Sequence, residues 1–205
     1  MQTRILVWDV PTRVFHWSLA LSFAGAYVTA ETERYRDVHL ALGYVFLGLI
    51  LFRLMWGLLG TDYARFSAFW FSPSAVISYL RSLSGSQPQH FVGHNPAGAL
   101  AIFLLLVLGL LIGSSGVLLY WEYGGEWGEE LFEEAHEIAS NLMLLVVVVH
   151  IAGVFASSFL HRENLARAML TGYKQGEAPS IGQTYGGLGA LMLVIMVGFL
   201  YFYLA

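Results

Sequence analysis

Apolar residues along this chain fall into long runs separated by short polar stretches. Five runs are long enough for a helix that crosses the apolar core of a bilayer, which is about 30 Å thick and takes about 20 residues. Polar side chains interrupt the start of the first run, which makes it the weakest, whereas residues 97–119 in the third carry no charge. The pattern predicts an all-α integral membrane protein with spans at 12–30, 38–59, 96–120, 134–160 and 187–205.

The remaining residues leave little room for a soluble domain. The connection 60–95 is aromatic early and polar late, and we expect a short interfacial helix over 74–83. Asn95 and Pro96 give the next span a favourable start, because asparagine caps helices and proline suits the first helical position. We therefore expect a transmembrane bundle over residues 1–175, followed by a linker and an additional helix over 176–205.

Composition agrees with a membrane protein and excludes several functions. Hydrophobic residues are 57% and charged residues 12%, against about 45–50% and about 25% in soluble domains. The net charge of -4 excludes a nucleic-acid-binding protein that relies on positive charge. Because the chain has no cysteine, disulfides, thiolate zinc sites, cysteine-held clusters and covalently attached haem are excluded. The seven histidines remain as the main candidates for transition-metal ligands.

The charged residues predict the orientation of the spans. Eight of the ten basic residues lie on one side of the predicted topology, and basic residues mark the cytoplasmic side. We therefore expect a cytoplasmic N-terminus and a periplasmic C-terminus. The opposite side carries ten acids and two arginines, many of them in the stretch 122–137 beside Trp121, Tyr123 and Trp127. This acidic loop is a candidate docking surface for a basic periplasmic protein, or simply a solvated loop that caps the fourth span.

Two histidines of the fourth span share one helix face. His136 and His150 are 14 residues apart, which leaves them about 40° apart around the helix and about 21 Å apart along it. That spacing suits two stacked planar cofactors and is too long for one shared metal ion. A zinc site is disfavoured, because zinc takes four ligands around one point.

Two further histidines fall at matching depths on other spans. His39 begins the second span on the outer side, level with His136, and His16 lies toward the inner side, level with His150. The pattern predicts an outer pair, His39 with His136, and an inner pair, His16 with His150, each ligating one haem iron. Such bis-histidine ligation leaves no open position and is typical of electron transfer. The alternative is that these histidines only make polar contacts between helices.

The other polar residues near the spans have weaker assignments. Arg13 and Arg53 share helix faces with the inner site and are candidates to bind haem propionates. The alternative is that both only extend toward the membrane surface. His90, His94 and His161 are expected to be interfacial polar residues, with His94 the replacement ligand if His16 does not serve.

Five segments resemble a known family. They are WDVPTRVFHWSLA at 8–20, HLALGY and RLMWG within 39–57, GHNPAG at 93–98, HEIASN and HIAGV within 136–154, and SSFLHRENLARAMLTGYK at 157–174. In this order they resemble the prokaryotic cytochrome b561 family, which includes the b-type cytochrome subunits of nickel hydrogenases. The resemblance implies a four-helix haem-binding bundle in the bacterial cytoplasmic membrane, with non-covalent haem b and ligands at His16, His39, His136 and His150.

Three functions remain open at this point. The first is an electron-transfer subunit between membrane quinone and a periplasmic redox partner, such as a c-type cytochrome, a hydrogenase or another dehydrogenase. The second is a stand-alone enzyme that oxidises superoxide and reduces quinone. The third is a non-redox membrane anchor or transporter. An electron-transfer subunit is favoured over a stand-alone oxidoreductase, with haem b as cofactor, quinone as a second candidate cofactor, and lipid as the surroundings.

Overall fold

The computed structural model describes residues 3–85 and 88–205, and they are mostly helical. The helices are α1 Val10–Thr29, α2 Arg36–Leu59, α3 Pro73–Ser82, α4 Pro96–Tyr120, α5 Gly125–His161, α6 Leu165–Thr171 and α7 Gly186–Leu204. Two 3-10 turns cover Glu33–Tyr35 and Phe66–Ala68. Strands β1 Thr3–Leu6 and β2 Tyr173–Gly176 pair antiparallel, with Thr3 opposite Gly176 and Leu6 opposite Tyr173.

The long helices give the molecule two different ends. We call the end with the two strands, α3 and α6 the loop end, and the end with residues 30–35 and 121–134 the acidic end. α1 and α2 run antiparallel: His39 near the start of α2 contacts Ala26 near the end of α1, and Trp56 near the end of α2 contacts Asp9 at the start of α1. Helices α1, α4 and α7 therefore run toward the acidic end, and α2 and α5 run back.

Side-chain caps set where the helices begin. Asp9 Oδ1 accepts a 2.7 Å hydrogen bond from the Thr12 amide at the start of α1. Asn95 Oδ1 accepts one of 2.7 Å from the Gly98 amide at the start of α4, directly before Pro96. Each cap satisfies a backbone N–H that has no partner within its helix. The predicted helix start at Asn95 and Pro96 is thus confirmed.

Helix α5 differs from its predicted boundary. We expected a span from residue 134, but the helix begins at Gly125 and has 37 residues. The apolar pattern missed the glutamate-rich first part, which forms helix readily and places negative charge near the helix N-terminus. At 1.5 Å per residue α5 is about 55 Å long, so its acidic part extends beyond a bilayer core of about 30 Å.

Four helical segments of the described chain are long and apolar enough to cross a membrane. They are Glu33–Leu59, Pro96–Tyr120, Gly125–Leu160 and Gly186–Leu204. The predicted all-α membrane fold is confirmed. α1 is not among the four, because polar residues such as Thr12, His16 and Ser22 lower its hydropathy. Its 20 residues nevertheless give it about the length of a span, and the fifth span stays a prediction.

One apolar core joins α1, α2, α4 and α5. Its buried residues include Phe23, Ile50, Leu106 and Met143, one from each helix. Gly109 lets α4 approach α2 closely, because a Cβ there would lie 2.7 Å from Ile50 Cδ1. A second cluster joins α7 to the outside of α1 and α2, so the additional helix packs beside the four-helix core. That cluster consists of Phe15, Val45, Leu49 and Met192.

Candidate functional site

Two of the predicted histidines meet near the acidic end of the core. His39 on α2 and His136 on α5 have ring centroids 6.1 Å apart, with ring planes at 65°. An iron between two imidazoles lies about 2 Å from each nitrogen and about 1 Å further from each ring centre, which separates the centroids by about 6 Å. The spacing of this pair therefore fits a metal bound axially by both rings.

The second nitrogen of each ring is already engaged. His39 Nδ1 lies 2.9 Å from the Ala26 carbonyl oxygen, and His136 Nδ1 lies 3.0 Å from the Ile112 carbonyl oxygen. Because a carbonyl only accepts, both Nδ1 atoms carry the proton and both Nε2 atoms keep a free lone pair. This is the form in which histidine binds metals, with the other nitrogen fixed by a backbone carbonyl. Gly116 leaves room for the His136 ring, since a Cβ there would lie 3.0 Å from its Cε1.

The other predicted pair lies in the loop-end half of the core. His150 is 14 residues after His136 on α5, about 21 Å further along the helix. His16 is ten residues before Ala26 on α1, about 15 Å further toward the loop end. His16 Nδ1 is buried and has no hydrogen-bond partner. A buried polar atom without a partner is costly, so this atom is available to a bound group.

Arg53 marks the same half of the core. Its side chain is buried, with Nη1 unpartnered, and its guanidinium lies over the rings of Phe66 and Phe69 at 5.0 and 5.8 Å. A buried guanidinium needs an anion to offset its loss of hydration, and the described residues place no carboxylate within ion-pair distance of it. Arg53 therefore fits a site for an anionic group such as a haem propionate.

Arg13, the other predicted propionate partner, has different contacts. Its Nη1 donates a 2.6 Å hydrogen bond to the Leu170 carbonyl at the end of α6, and its Nε donates one of 3.4 Å to the Asp9 carbonyl. These bonds tie α1 to α6 at the loop end. The role of Arg13 toward haem stays a prediction, with weaker structural support than that of Arg53.

His94 is more deeply placed than its loop position predicts. Its ring packs between Trp8 and Phe69, with centroids 4.7 and 4.3 Å away, and its Nδ1 is buried without a partner. Burial, and after it the positive charges of Arg53, Lys174, His150 and His16, lower the pKa of His94 to about 3. His94 therefore lies within electrostatic reach of both histidines of the loop-end pair. His94 is therefore more deeply buried than the interfacial position that we predicted for it.

Asp9 connects the two helices that carry His16 and Arg53. Beyond capping α1, its Oδ2 accepts hydrogen bonds from Trp56 Nε1 at 3.0 Å and from Thr61 Oγ1 at 2.6 Å. Its side chain is almost fully buried. Asp9 thereby fixes the position of α1 relative to the end of α2. Sequence reasoning missed this role, although an Asp before Pro in WDVP was a signal for a helix cap.

A cavity of about 490 Å³ opens beside His94 at the loop end. Its wall is mostly apolar and aromatic, with Phe69, Phe71 and Phe91, and its polar groups are Asp62, Tyr63 and His94. A cavity of this volume, with a mostly apolar wall and a few polar groups, is typical of small-molecule sites. Within residues 3–85 and 88–205, no three histidine, aspartate or glutamate side chains converge as a metal cage.

The fold defines an all-α membrane protein, and its paired histidines suit the binding of a metal between helices. Comparison with known proteins narrows this class. The family model for prokaryotic cytochrome b561 matches residues 7–172. The chain belongs to the prokaryotic cytochrome b561 family, and it is a membrane b-type cytochrome of electron transport with haem b as its cofactor.

Similar curated proteins have one description in common. A protein of Azotobacter vinelandii is 26% identical over 84% of this chain and 89% of its own length. One of Cupriavidus necator is 24% identical over 82% and 86%, and one of Rhodobacter capsulatus is 21% identical over 84% and 82%. Each is named a probable Ni/Fe-hydrogenase B-type cytochrome subunit. No solved structure is significantly similar to the chain.

Proposed function

We propose that this cytochrome holds two haem b groups and passes electrons between membrane quinone and a redox partner at the acidic end. The observation that carries the proposal is the His39–His136 pair, with centroids 6.1 Å apart and both Nδ1 atoms at backbone carbonyls. Through their free Nε2 atoms, both rings would hold one haem iron. His16 and His150 are the proposed ligands of the second.

The bound haem supplies reversible one-electron storage, and the protein sets the conditions for it. Held by His39 and His136, the haem would serve electron transfer and would not bind oxygen or substrate. The carbonyls of Ala26 and Ile112 hold the acidic-end rings in the ligating tautomer. Arg53, whose buried guanidinium has an unpartnered Nη1, would bind a propionate of the loop-end haem.

We propose that the loop end faces the cytoplasm and the acidic end faces the periplasm of the bacterial inner membrane. Support comes from the eight basic residues that belong to the loop end. With α1 as a fifth span, the N-terminus is cytoplasmic and the C-terminus periplasmic. Relatives named as hydrogenase cytochrome subunits favour a nickel–iron hydrogenase as the partner over a soluble c-type cytochrome.

The partner would meet the acidic end. Trp121, Tyr123 and Trp127 are exposed there, between 60% and 67%, beside the carboxylates of the first part of α5. Exposed aromatic residues are common at the centres of interfaces. Quinone would bind at the other end, in the cavity beside His94, whose aromatic wall and few polar groups suit a quinone ring.

The test is haem content and redox titration of the purified protein. We expect two b-type haems per chain, two one-electron waves, and reduction of haem by added quinol in membranes. A protein that purifies without reduced-minus-oxidised b-haem bands would overturn the proposal. Activity with superoxide alone, without a partner, would instead favour the stand-alone oxidoreductase.

A further inference from the structure

The loop end contains a polar cluster that neither histidine pair uses. We call it the Glu163 cluster: His90 before α4, His161 at the end of α5, Glu163 in the following turn, and Lys174 on β2. Glu163 Oε2 lies 3.3 Å from Lys174 Nζ and 3.4 Å from His90 Nε2. The rings of His90 and His161 are 5.0 Å apart. Segments far apart in sequence thus bring four titratable groups together.

The cluster is partly buried but has a route to water. The Lys174 side chain is 4% exposed and that of Glu163 is 18% exposed, whereas His90 is 45% exposed. Glu163 Oε1 is buried and has no partner. A cavity of about 30 Å³ adjoins all four groups, which is room for about two water molecules where polar partners exist. Glu163 Oε1 is such a partner.

A purely structural role would not need all of these groups. The pair Lys174–Glu163 alone would tie β2 to the turn after α5. The two histidines add groups that can exchange protons near neutral pH, and the unpartnered Glu163 oxygen and the small cavity lie beside them. Burial lowers the pKa of His161, and the charges of His90 and Lys174 lower it further, while Glu163 raises it. The two rings therefore resist being charged at the same time.

The cluster adjoins the larger cavity that we assign to quinone. Phe91 and Gly93 line both cavities, so one short segment separates them. The next residue, His94, lies on the wall of the larger cavity and within electrostatic reach of Lys174. Among the charged groups that lower the pKa of His94, Arg53 has the largest effect. His94 thus lies on the wall of the quinone cavity, one residue after the segment that the two cavities share.

We propose that the Glu163 cluster is the proton entry for the quinone cavity, an inference that rests on the proposed function. Reduction of quinone to quinol takes up two electrons and two protons. The electrons are those that haem supplies when bound, and the protons come from water at the loop end. His90 takes up each proton, the Glu163 carboxylate stabilises the imidazolium, and His94 passes the proton to the quinone oxygen by accepting at one nitrogen and releasing from the other.

The test replaces Glu163 without changing its size. Glu163→Gln is compared with wild type and with Glu177→Gln, an exposed glutamate of the same end. The haem-loaded protein is reduced and mixed with a short-chain quinone across pH 6 to 9. We expect haem reoxidation to slow about tenfold or more in Glu163→Gln above pH 7, with Glu177→Gln like wild type. Glu163→Asp should recover part of the rate.

Binding and potential measurements separate this role from a structural one. Haem content, both midpoint potentials and the affinity for the short-chain quinone should stay unchanged in Glu163→Gln. If that variant does not fold, His90→Gln should show the same slowing. Loss of haem or of quinone affinity together with rate would mean a structural tie and would overturn the proton route.

The remaining outcomes distinguish the two proposals. A wild type that never reacts with quinone would overturn both the proposed function and the proton route. A wild type that reacts, with the variants matching its rate and pH profile, would overturn only the proton route.

Discussion

The two ends of the core differ in the hydrogen-bond partners that they give to their histidines. At the acidic end, helix packing alone brings His39 and His136 to 6.1 Å and gives each Nδ1 a carbonyl partner. At the loop end, buried atoms of His16, Arg53 and His94 have no partner within the protein. The Nδ1 atoms of the acidic-end pair are therefore satisfied within the protein, whereas the loop-end site leaves buried polar atoms for a bound group to satisfy.

This difference reflects what surrounds each pair. The acidic-end ligands lie between helices whose carbonyls are within reach, and the nearest loops are short. The loop-end pair is covered by the long connection 60–95 and by the segments around the two strands. That cover brings Phe69, His94 and Lys174 to the site and forms the cavity beside it. The loop end is thus the end where we propose that quinone and protons enter.

Replacement of the buried Arg53 tests the difference between the two ends most strongly. Arg53→Met should remove most of the loop-end haem, because a hydrogen bond to a charged group contributes about 1.5–3 kcal/mol, or about 10- to 150-fold in affinity. The acidic-end haem should remain. Haem content per chain measures this, with Arg65→Met, an exposed arginine of the same end, as control. Two haems retained at unchanged potentials would show that Arg53 does not bind a propionate.

Asp9→Asn should lower the stability of the fold and change the potential of the loop-end haem. An amide retains the cap to Thr12 but turns an N–H toward Trp56, so we expect about 3 kcal/mol less stability. Loss of a negative charge should also raise the potential of the loop-end haem and leave the other unchanged. Thermal unfolding and redox titration report the two effects, with Asp62→Asn as control. Equal shifts of both potentials would contradict a local role.

The lowered pKa of His94 predicts that the folded protein loses stability in acid. Its pKa is about 3 in the folded protein and near 6.5 when unfolded, so the folded state binds fewer protons and loses stability as pH falls below 6.5. Between pH 7 and pH 5 the loss should be about 2 kcal/mol. His94→Gln should lack this part of the pH dependence in thermal unfolding. An identical pH dependence in variant and wild type would contradict the burial of His94.

The smallest effect is expected at the acidic end. Ser115 Oγ lies 3.3 Å from His136 Nδ1, but the Ile112 carbonyl is closer at 3.0 Å. Ser115→Ala should therefore cost less than about 1 kcal/mol and shift only the acidic-end potential slightly. Ser114→Ala is a matched control, since Ser114 bonds the backbone of its own helix without touching His136. A large shift would mean that the hydroxyl, and not the carbonyl, fixes the ring.

Much of the fold could be predicted from one-dimensional patterns. Apolar runs located the long helices to within a few residues, because a bilayer demands uniform hydrophobicity. The start of α5 at Gly125 could not be found this way, since its first turns are helical for local reasons and are not apolar. The closeness of His39 and His136 could be predicted from the sequence. The fixed rise per residue of a helix gives the depth of each histidine along its span.

The contacts at the loop end could not be predicted from sequence spacing. Glu163 meets His90, 73 residues away in sequence, and Asp9 meets Trp56, 47 residues away. Irregular segments carry no fixed rise per residue, so their side chains cannot be placed from spacing alone. For this reason the contacts of His94, His90 and His161 were not predicted, and the three were expected to be interfacial polar residues, with His94 as a replacement ligand for His16.

The pairing of the four histidines is tested most directly by single replacements with alanine, followed by haem content and redox titration. Our account predicts that His39→Ala and His136→Ala remove the same haem and leave the other potential in place. It predicts that His16→Ala and His150→Ala both remove the other haem. If His39→Ala and His136→Ala removed different haems, or if all four variants lost one and the same haem, the two-site account would be contradicted.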